Sequence, residues 1–331
     1  MLWPHGRRSG SGWSAGSDAR FYPDHNGERR GGKHGGGVRR EPGDLDVTTP
    51  NWARIGNYIL GGKDHFAADR AAAEEILFYA PEIRPMTVEL YDFQARAIRY
   101  LASQGTDQYI VIGTGLPSTC QTHAVARAIV PGARVVYVSH DAVVLSHARA
   151  LVATDADTGV VKGHVLHPAD IVADPVTRRY IDPDRPVGVI IPNILQYIPD
   201  VDDPFKRVGE LRDWMPPGSH LVLAHVVLDS RPAAADRIVQ VYKRIIGRDE
   251  DASRTRDQVR GFFDGLEMVE PGLVYIREWR PDNPWPRTGR RSSGWSAASA
   301  ARPPTDPSAE SERWPKSRHS VIRRTWGRSI L

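Results

Sequence analysis

Five short runs of β-branched and other apolar residues recur through the middle of the chain, and stretches with helical spacing separate them. Apolar runs without polar alternation predict strands that are buried on both faces of a parallel sheet. The runs cover residues 109–113, 134–138, 159–165, 187–192 and 220–228. Their regular alternation with helices predicts a doubly wound, Rossmann-like α/β sheet.

The predicted helices between these strands cover residues 118–130, 142–152 and 202–215. Ser118 is a candidate cap for the first of them, and Pro204 stands early in the last. Before the first strand, residues 67–78 and 88–103 predict an N-terminal helical cap over the carboxyl ends of the strands. At the other end, two strand-like runs joined through Pro271-Gly272 predict a C-terminal β-hairpin, whose last strand lies antiparallel on the sheet edge.

The two ends of the chain, residues 1–47 and 282–331, are rich in Gly, Ser and Arg and have little apolar periodicity. We expect both to be disordered tails around a helical cap (48–106) and a cofactor-binding core (107–281). The tails resemble each other at residues 6–20 and 289–302. Low-complexity drift explains this near-repeat more simply than a docking peptide presented twice.

Composition and charge narrow the class of protein. The 331 residues are 40% hydrophobic and 25% charged, which is typical of a globular protein. The net charge of +4 divides into +2 and +6 on the tails and −4 on residues 48–281, so the basic character gives little support for nucleic-acid binding. The single cysteine, Cys120, excludes an internal disulfide and fits a reducing cytoplasm. No apolar run reaches membrane-spanning length, so we expect no membrane association. The oligomeric state stays open.

A glycine-rich turn follows the first strand, at Gly113, Thr114 and Gly115. Ligands of open parallel sheets bind beside such turns, although a tight turn without a ligand is the alternative. A dinucleotide is disfavoured, because Ser118 replaces the third glycine and Ser139 replaces the acid after the second strand. No metal site is predicted, since no further ligand pattern accompanies His164 and His167. No nucleophile-elbow motif supports a hydrolase.

Three stretches carry a resemblance to a known family: "YILGGKDHFAADR" (58–70), "IGTGLP" (112–117) and "FFDGLEMVEPGLV" (262–274). Over residues 49–282 the sequence resembles a bacterial family of class I S-adenosylmethionine-dependent methyltransferases. The resemblance implies a Rossmann-like methyltransferase that binds S-adenosylmethionine and methylates an acceptor. The helical cap suggests that this acceptor is a small molecule.

The resemblance also implies a set of cofactor-binding residues. The methionine part would lie by the glycine turn, the ribose by the end of the second strand, and the adenine by the loop after the third. These positions are held by Gly113, Thr114, Gly115, Ser139, His140, Asp141, His164 and Val165, with Asn193 after the fourth strand.

Further candidates have two interpretations each. Tyr58, Lys63, Asp64 and His65 lie in the loop that matches the family, and they either close over cofactor or substrate or are purely structural. His225, at the end of the fifth strand, is predicted to face the pocket mouth. It is a weak candidate for a base towards the acceptor, and a structural histidine is the simpler interpretation.

Departures from the family pattern cluster at the cofactor. The family's acid before the glycine turn is Val111 here, the acids after the second and third strands are Ser139 and His164, and Asp141 remains. The histidine expected after the fourth strand is Gln196. Two hypotheses follow. One is a methyltransferase with a weakened cofactor site; the other is a non-catalytic member with a degraded pocket, which acts as a binding or scaffold module.

Overall fold

The computed structural model describes residues 46–116, 121–153, 155–227, 232–247, 249–250, 252–282 and 295–303. Most of the predicted N-terminal tail and the candidate cap Ser118 lie outside these residues. The helices are α1 (Trp52–Ile59), α2 (Ala67–Tyr79), α3 (Ile83–Ser103), α4 (Thr122–Arg127), α5 (Ala142–Leu151), α6 (Pro168–Ala173), α7 (Pro175–Tyr180), α8 (Pro204–Trp214), α9 (Pro232–Ile246) and α10 (Arg256–Arg260).

The strands of the described residues form one mixed sheet. They are β1 (Gln108–Ile112), β2 (Arg134–Ser139), β3 (Thr158–Lys162), β4 (Gly188–Ile191), β5 (His220–Val226), β6 (Glu267–Met268), β7 (Val274–Tyr275) and β8 (Trp295–Ala301). Their order is β3-β2-β1-β4-β5-β8-β6, with β7 also paired to β8. Strands β1 to β5 are parallel, which confirms the doubly wound α/β prediction.

Both faces of the parallel strands are buried by helices. In β1, Ile110 and Ile112 pack into the layer that contains α6 and α8. The alternate residues Tyr109 and Val111 pack into the opposite layer, against α3. Burial on both sides explains why these strands are apolar at consecutive positions rather than alternating.

Helices α1, α2 and α9 form a third cluster around Ile55, Ile76 and Val241. A buried ion pair joins the first two helices, with Arg54 Nε 2.8 Å from an oxygen of Asp69. Helix α3 belongs partly to this cluster through Ile83, but most of its buried face lies on the sheet. The cap therefore includes α9, which follows β5 in the chain and was not predicted.

The C-terminal strands differ from the predicted hairpin. Strands β6 and β7 do not pair with each other; each pairs antiparallel with β8, and β8 pairs antiparallel with β5 from His220↔Ala301 to Val226↔Trp295. The prediction that the chain beyond residue 281 stays outside the fold is wrong for Trp295–Ala301. The sequence pattern does not predict this strand, because its Ala and Ser side chains lack an apolar pattern and its burial comes from neighbouring strands.

Candidate cofactor site at the carboxyl ends of the strands

The glycine turn after β1 has the backbone that the sequence predicts. Gly113 and Gly115 have φ of +81° and +64°, values that side-chain-bearing residues rarely adopt. A β-carbon on Gly113 would lie 3.0 Å from the side chain of Ile194, so the turn packs closely on the loop after β4. A β-carbon on Gly115 would project into space whose nearest atom is the hydroxyl of Tyr91, at 4.0 Å. The turn therefore leaves a cradle at Gly115.

A cleft with about 990 Å³ of empty space, a volume that includes open solvent, lies above this turn. Its floor comes from the carboxyl ends of β1, β2 and β4, and its other walls come from α1 and α3. The structure brings these predicted site residues to its lining: Gly113, Thr114, Gly115, Ser139, His140, Asp141 and Asn193.

Asp141 is held by helices on both sides. Its Oδ1 accepts from the backbone N–H of Val144, which caps α5, at 2.9 Å. Its Oδ2 accepts from Asn51 Nδ2 at 2.8 Å. The backbone N–H of Asp141 in turn donates to Ser139 Oγ at 3.2 Å. Both carboxylate oxygens of the remaining acid therefore already have protein donors.

Asn51 owes its position to the "AADR" stretch of the family-like loop. Its backbone N–H donates to Asp69 Oδ1 at 2.9 Å, and Asp69 Oδ2 accepts from Arg54 Nε and from the backbone of Phe66. The Asn51 side chain also caps α1 by accepting from the backbone of Ala53 at 2.9 Å. Sequence reasoning missed this link, although an Asn directly before an apolar helix is a recognisable cap signal.

Two imidazoles stand where the resemblance places the adenine end of the cofactor. The ring centroids of His140 and His164 are 4.7 Å apart, and that of His167 lies 6.5 Å from His164. Burial lowers the pKa of His140, and burial together with the neighbouring imidazoles lowers the pKa of His164 to about 3. Both rings are therefore neutral at pH 7. Val165 is buried in the core behind them, and His164 follows β3 rather than lying in it.

Histidine and acidic side chains do not gather into a metal site within the part of the chain that the structure describes. In the same part, no helix is both long and apolar enough to cross a membrane.

The loop after β4 contributes a polar and aromatic wall. Gln196 Nε2 donates to Asn193 Oδ1, and the hydroxyl of Tyr197 hydrogen-bonds to both residues. Burial raises the pKa of Tyr197 to about 12, so its hydroxyl keeps its proton. The ring of Tyr197 stacks on Trp52 of α1, with centroids 4.0 Å apart and planes at 11°. Both rings line the cavity.

Val111 lies beside a recess that adjoins the glycine turn. Its side chain is 1% exposed and lines this recess with Tyr91, Gln94, Gly115 and Tyr137. The acid that the family resemblance places here would thus have had polar neighbours, whereas valine leaves the recess without charge at this point.

The loop candidates do not line the cavity; Tyr58 lies in α1, and Lys63, Asp64 and His65 lie in the turn between α1 and α2. Tyr58 donates its hydroxyl to Glu74 at 2.9 Å, His65 Nε2 faces the carbonyl of Gly62 at 3.1 Å, and Lys63 is exposed. Asp64 is also exposed, with its carboxylate 3.7 Å from His147 Nε2 on α5. Tyr58 thus joins α1 to α2 and Asp64 lies near α5, and none of the four residues lines the cavity.

His225 is fully buried and does not line the cavity, so the prediction that it faces the pocket mouth is wrong. Its Nδ1 lies 2.6 Å from the carbonyl of Val226, and its Nε2 lies 3.1 Å from a guanidinium nitrogen of Arg254. This geometry requires Nδ1 to donate and Nε2 to accept, which is the neutral ring. Burial and then the charge of Arg254 lower its pKa to about 3.

The parallel strand order, the antiparallel strand beside β5 and the glycine turn after β1 together define a class I methyltransferase fold. The sequence matches the S-adenosyl methyltransferase family over residues 39–303. The chain belongs to this family. The match includes β8, which extends the domain past the boundary predicted at residue 281.

Solved structures agree with this assignment. A candidate methyltransferase from Thermobifida fusca YX is 34% identical, with a TM-score of 0.74 over 80% of this chain and 100% of that one. A DUF574 family protein from Streptomyces avermitilis MA-4680 is 31% identical, with a TM-score of 0.73 over 78% of this chain and 100% of that one. No curated protein matches the sequence.

Proposed function

We propose that this protein transfers a methyl group from S-adenosylmethionine to a small-molecule acceptor. The observation that carries the proposal is the cleft above the glycine turn, because residues that the family resemblance assigns to the cofactor line it together with side chains from α1 and α3. When bound, S-adenosylmethionine supplies an electrophilic methyl group on a positively charged sulfur.

The residues present fit this cofactor in outline. The cradle at Gly115 offers space that any larger residue would fill, and we assign the methionine part to it. Ser139 and Asp141 line the cavity where a ribose would be bound, and His140, which also lines it and contacts the ring of His164, would flank the adenine. The enclosed position between α1, α3 and the strand ends favours a small acceptor over a polymer. The single cysteine favours a cytoplasmic location.

The residues of this site support a weaker affinity for S-adenosylmethionine than the family pattern implies. A hydrogen bond to a charged group contributes about 1.5–3 kcal/mol. The family pattern has a carboxylate at two positions where this chain has Val111 and Ser139. Asp141 already accepts from Asn51 and Val144, so it would contact a ribose only as a third partner. These observations favour the alternative function, a binding or scaffold protein that keeps the fold without the chemistry.

Calorimetric titration of the full chain with S-adenosylmethionine and S-adenosylhomocysteine separates the two functions. Methyl transfer requires saturable binding of S-adenosylmethionine. Gly115→Val should abolish this binding while the protein stays folded. The valine would be strained at φ +64° and would project into the cradle. Val111→Asp is the opposite change, and we expect it to strengthen binding. If the wild type binds neither compound and Val111→Asp with Ser139→Asp rescues neither, the enzyme function is excluded.

A further inference from the structure

One wall of the cavity is formed by aromatic rings. Trp52 and Tyr197 stack at 4.0 Å, and Tyr242 of α9 supports Trp52 edge-on from 4.8 Å. Three rings from α1, the β4 loop and α9 thus hold one another in place, so the wall is fixed before any ligand arrives. A fixed aromatic face binds flat molecules at a low cost in conformational entropy.

Tyr91 of α3 connects this wall to the glycine turn. It lines both the cavity and the adjoining recess, and its hydroxyl lies 4.0 Å from the position that a Gly115 β-carbon would take. With Tyr91 included, the aromatic lining of the cavity therefore reaches the glycine turn, to which the methionine part of the cofactor is assigned. An acceptor bound against the wall would share the cavity with the residues to which the methionine part of the cofactor is assigned.

Charged side chains are scarce in the cavity lining. Among the described residues that line the cavity there is no Lys or Arg, and the one carboxylate, Asp141, is at the β2 end. His140 is also at the β2 end, and Tyr197 keeps its proton at neutral pH. The described wall thus offers neither a cation for an acidic acceptor nor a base for removing a proton.

We propose that the methyl acceptor is a flat, uncharged nitrogen heteroaromatic molecule that stacks on the Trp52–Tyr197 wall and is methylated on its ring nitrogen. This inference rests on the proposed methyl transfer. The lone pair of the ring nitrogen forms the bond to the methyl carbon, and the methyl–sulfur bond breaks with its electron pair left on sulfur. No proton is released, and the positive charge moves from sulfur to the nitrogen ring, where aromatic faces stabilise a cation.

Binding of three probes to the full chain tests the ring preference directly. Isoquinoline, 2-naphthol and the saturated decahydro-2-naphthol are titrated by calorimetry, with and without S-adenosylhomocysteine. Both aromatic probes should bind roughly tenfold tighter than the saturated alcohol, because stacking adds to simple burial. Equal or tighter binding of the saturated alcohol would overturn the aromatic wall as an acceptor site.

Product analysis with S-adenosylmethionine tests the nucleophile. N-methylisoquinolinium should form, and 2-naphthol should not be methylated; preferential methylation of the naphthol would overturn the choice of nitrogen. If the wild type binds no cofactor, the proposed function fails, and the probe affinities still decide whether the wall selects flat rings. Cofactor binding together with a preference for the saturated alcohol would reject the inference and leave the function standing.

Variants of Tyr91 test whether the preference for aromatic probes depends on the aromatic lining of the cavity. Tyr91→Leu should weaken isoquinoline binding by roughly tenfold, whereas Tyr91→Phe, which keeps the ring, should recover most of the affinity. Tyr79→Leu is the matched control, because Tyr79 lies at the end of α2, outside the cavity lining, and packs edge-on against Phe78 at 5.1 Å. Equal loss in Tyr91→Leu and Tyr79→Leu would contradict a specific role for the wall.

Discussion

Single residues decide how much charge faces the cofactor. Of the acids that the family pattern implies, Asp141 remains, and it lies next to an uncharged serine at the carboxyl end of β2. The structure adds that the oxygens of Asp141 accept from α5 and from Asn51, and that Ser139 Oγ accepts from the Asp141 backbone. The end of the cavity where we propose that the ribose binds is thus polar but has little free negative charge.

Ser139→Asp should tighten S-adenosylmethionine binding by roughly tenfold or more, since it restores a charge-assisted hydrogen bond. An aspartate can also keep the contact with the Asp141 backbone, so the turn should stay intact. Ser139→Asn is the matched control, with similar size and no charge, and it should gain much less. Isothermal calorimetry measures both. Unchanged or weaker binding in Ser139→Asp would mean that other groups hold the ribose.

The neutral histidines make stability depend on pH. His164 and His225 each have a pKa of about 3 in the folded protein, whereas in the unfolded chain they take up protons near pH 6.5. Below that pH the unfolded state therefore binds more protons than the folded state does. The free energy of unfolding is thus highest above that pH and falls as the pH is lowered. Each histidine should remove up to about 1.4 kcal/mol per pH unit below 6.5.

Urea denaturation at pH 7.5 and 5.5 measures this effect. His225→Asn should lose less stability between the two pH values than the wild type does, by about 1.4 kcal/mol, since one suppressed titration is gone. The two proteins are compared by how their stability changes with pH, not by their stability at one pH. In the variant, Arg254 keeps acceptors at the carbonyls of Leu195 and Ile198. Equal pH dependence in the two proteins would contradict the buried neutral state of His225.

At the scale of elements, helix α1 is fastened to the strand ends through Asn51. Its side chain caps α1 and donates to Asp141 at the start of α5, and its backbone N–H donates to the Asp69 carboxylate. The helical cap and the cofactor side of the sheet therefore share one hydrogen-bonded junction.

Two substitutions of Asn51 separate its roles. Asn51→Ala removes both the helix cap and the donor to Asp141 and should cost about 1–2 kcal/mol of stability. Asn51→Asp keeps a good cap but sets a second carboxylate against Asp141, so it should also destabilise the protein at pH 7.5. Repulsion raises the pKa of one carboxyl of the pair. The loss of stability in Asn51→Asp should therefore become smaller towards pH 5, whereas the loss of stability in Asn51→Ala should not. Denaturation of each variant against the wild type at both pH values measures this, and parallel behaviour would contradict it.

Strand β8 shows that an element can be held almost entirely by its neighbours. Seven residue pairs join it to β5, and β6 and β7 cover its other edge. Its Ala297, Ala298 and Ala300 are fully buried, yet their side chains offer little apolar surface of their own.

A chain that ends after Asp282 should lose its cooperative unfolding transition, whereas one that ends after Pro303 should melt like the full protein. The shorter chain leaves the edge of β5 unpaired, and several lost hydrogen bonds at about 1 kcal/mol each are a large part of a domain's stability of about 5–15 kcal/mol. Differential scanning calorimetry compares the two. Equal melting of both chains would show that the sheet is stable without β8.

On the scale of the whole molecule, the cavity exists because distant segments converge on it. The glycine turn follows β1, the polar residues follow β2 and β4, and α1 and α3 close the opposite side. The segments that supply the floor come from a regular α/β alternation. The aromatic wall instead joins residues that are far apart in the chain, such as Trp52, Tyr197 and Tyr242.

The sequence by itself determined the parallel strands and the glycine turn. Consecutive β-branched residues such as Val135 and Val136 suit only a strand buried on both faces, and glycine permits the positive φ found at Gly113 and Gly115. These features depend on local conformational preference and on a pattern within a few residues.

Tertiary structure alone decided the place of β8, the burial of His225 and the contact between Asn51 and Asp141. An alanine- and serine-rich segment becomes a strand only where β5 and two short strands pair with it. His225 turns to Arg254, which is 29 positions away, and Asn51 meets Asp141 across 90 positions. Such contacts depend on packing between elements, and no periodicity within either segment carries that information.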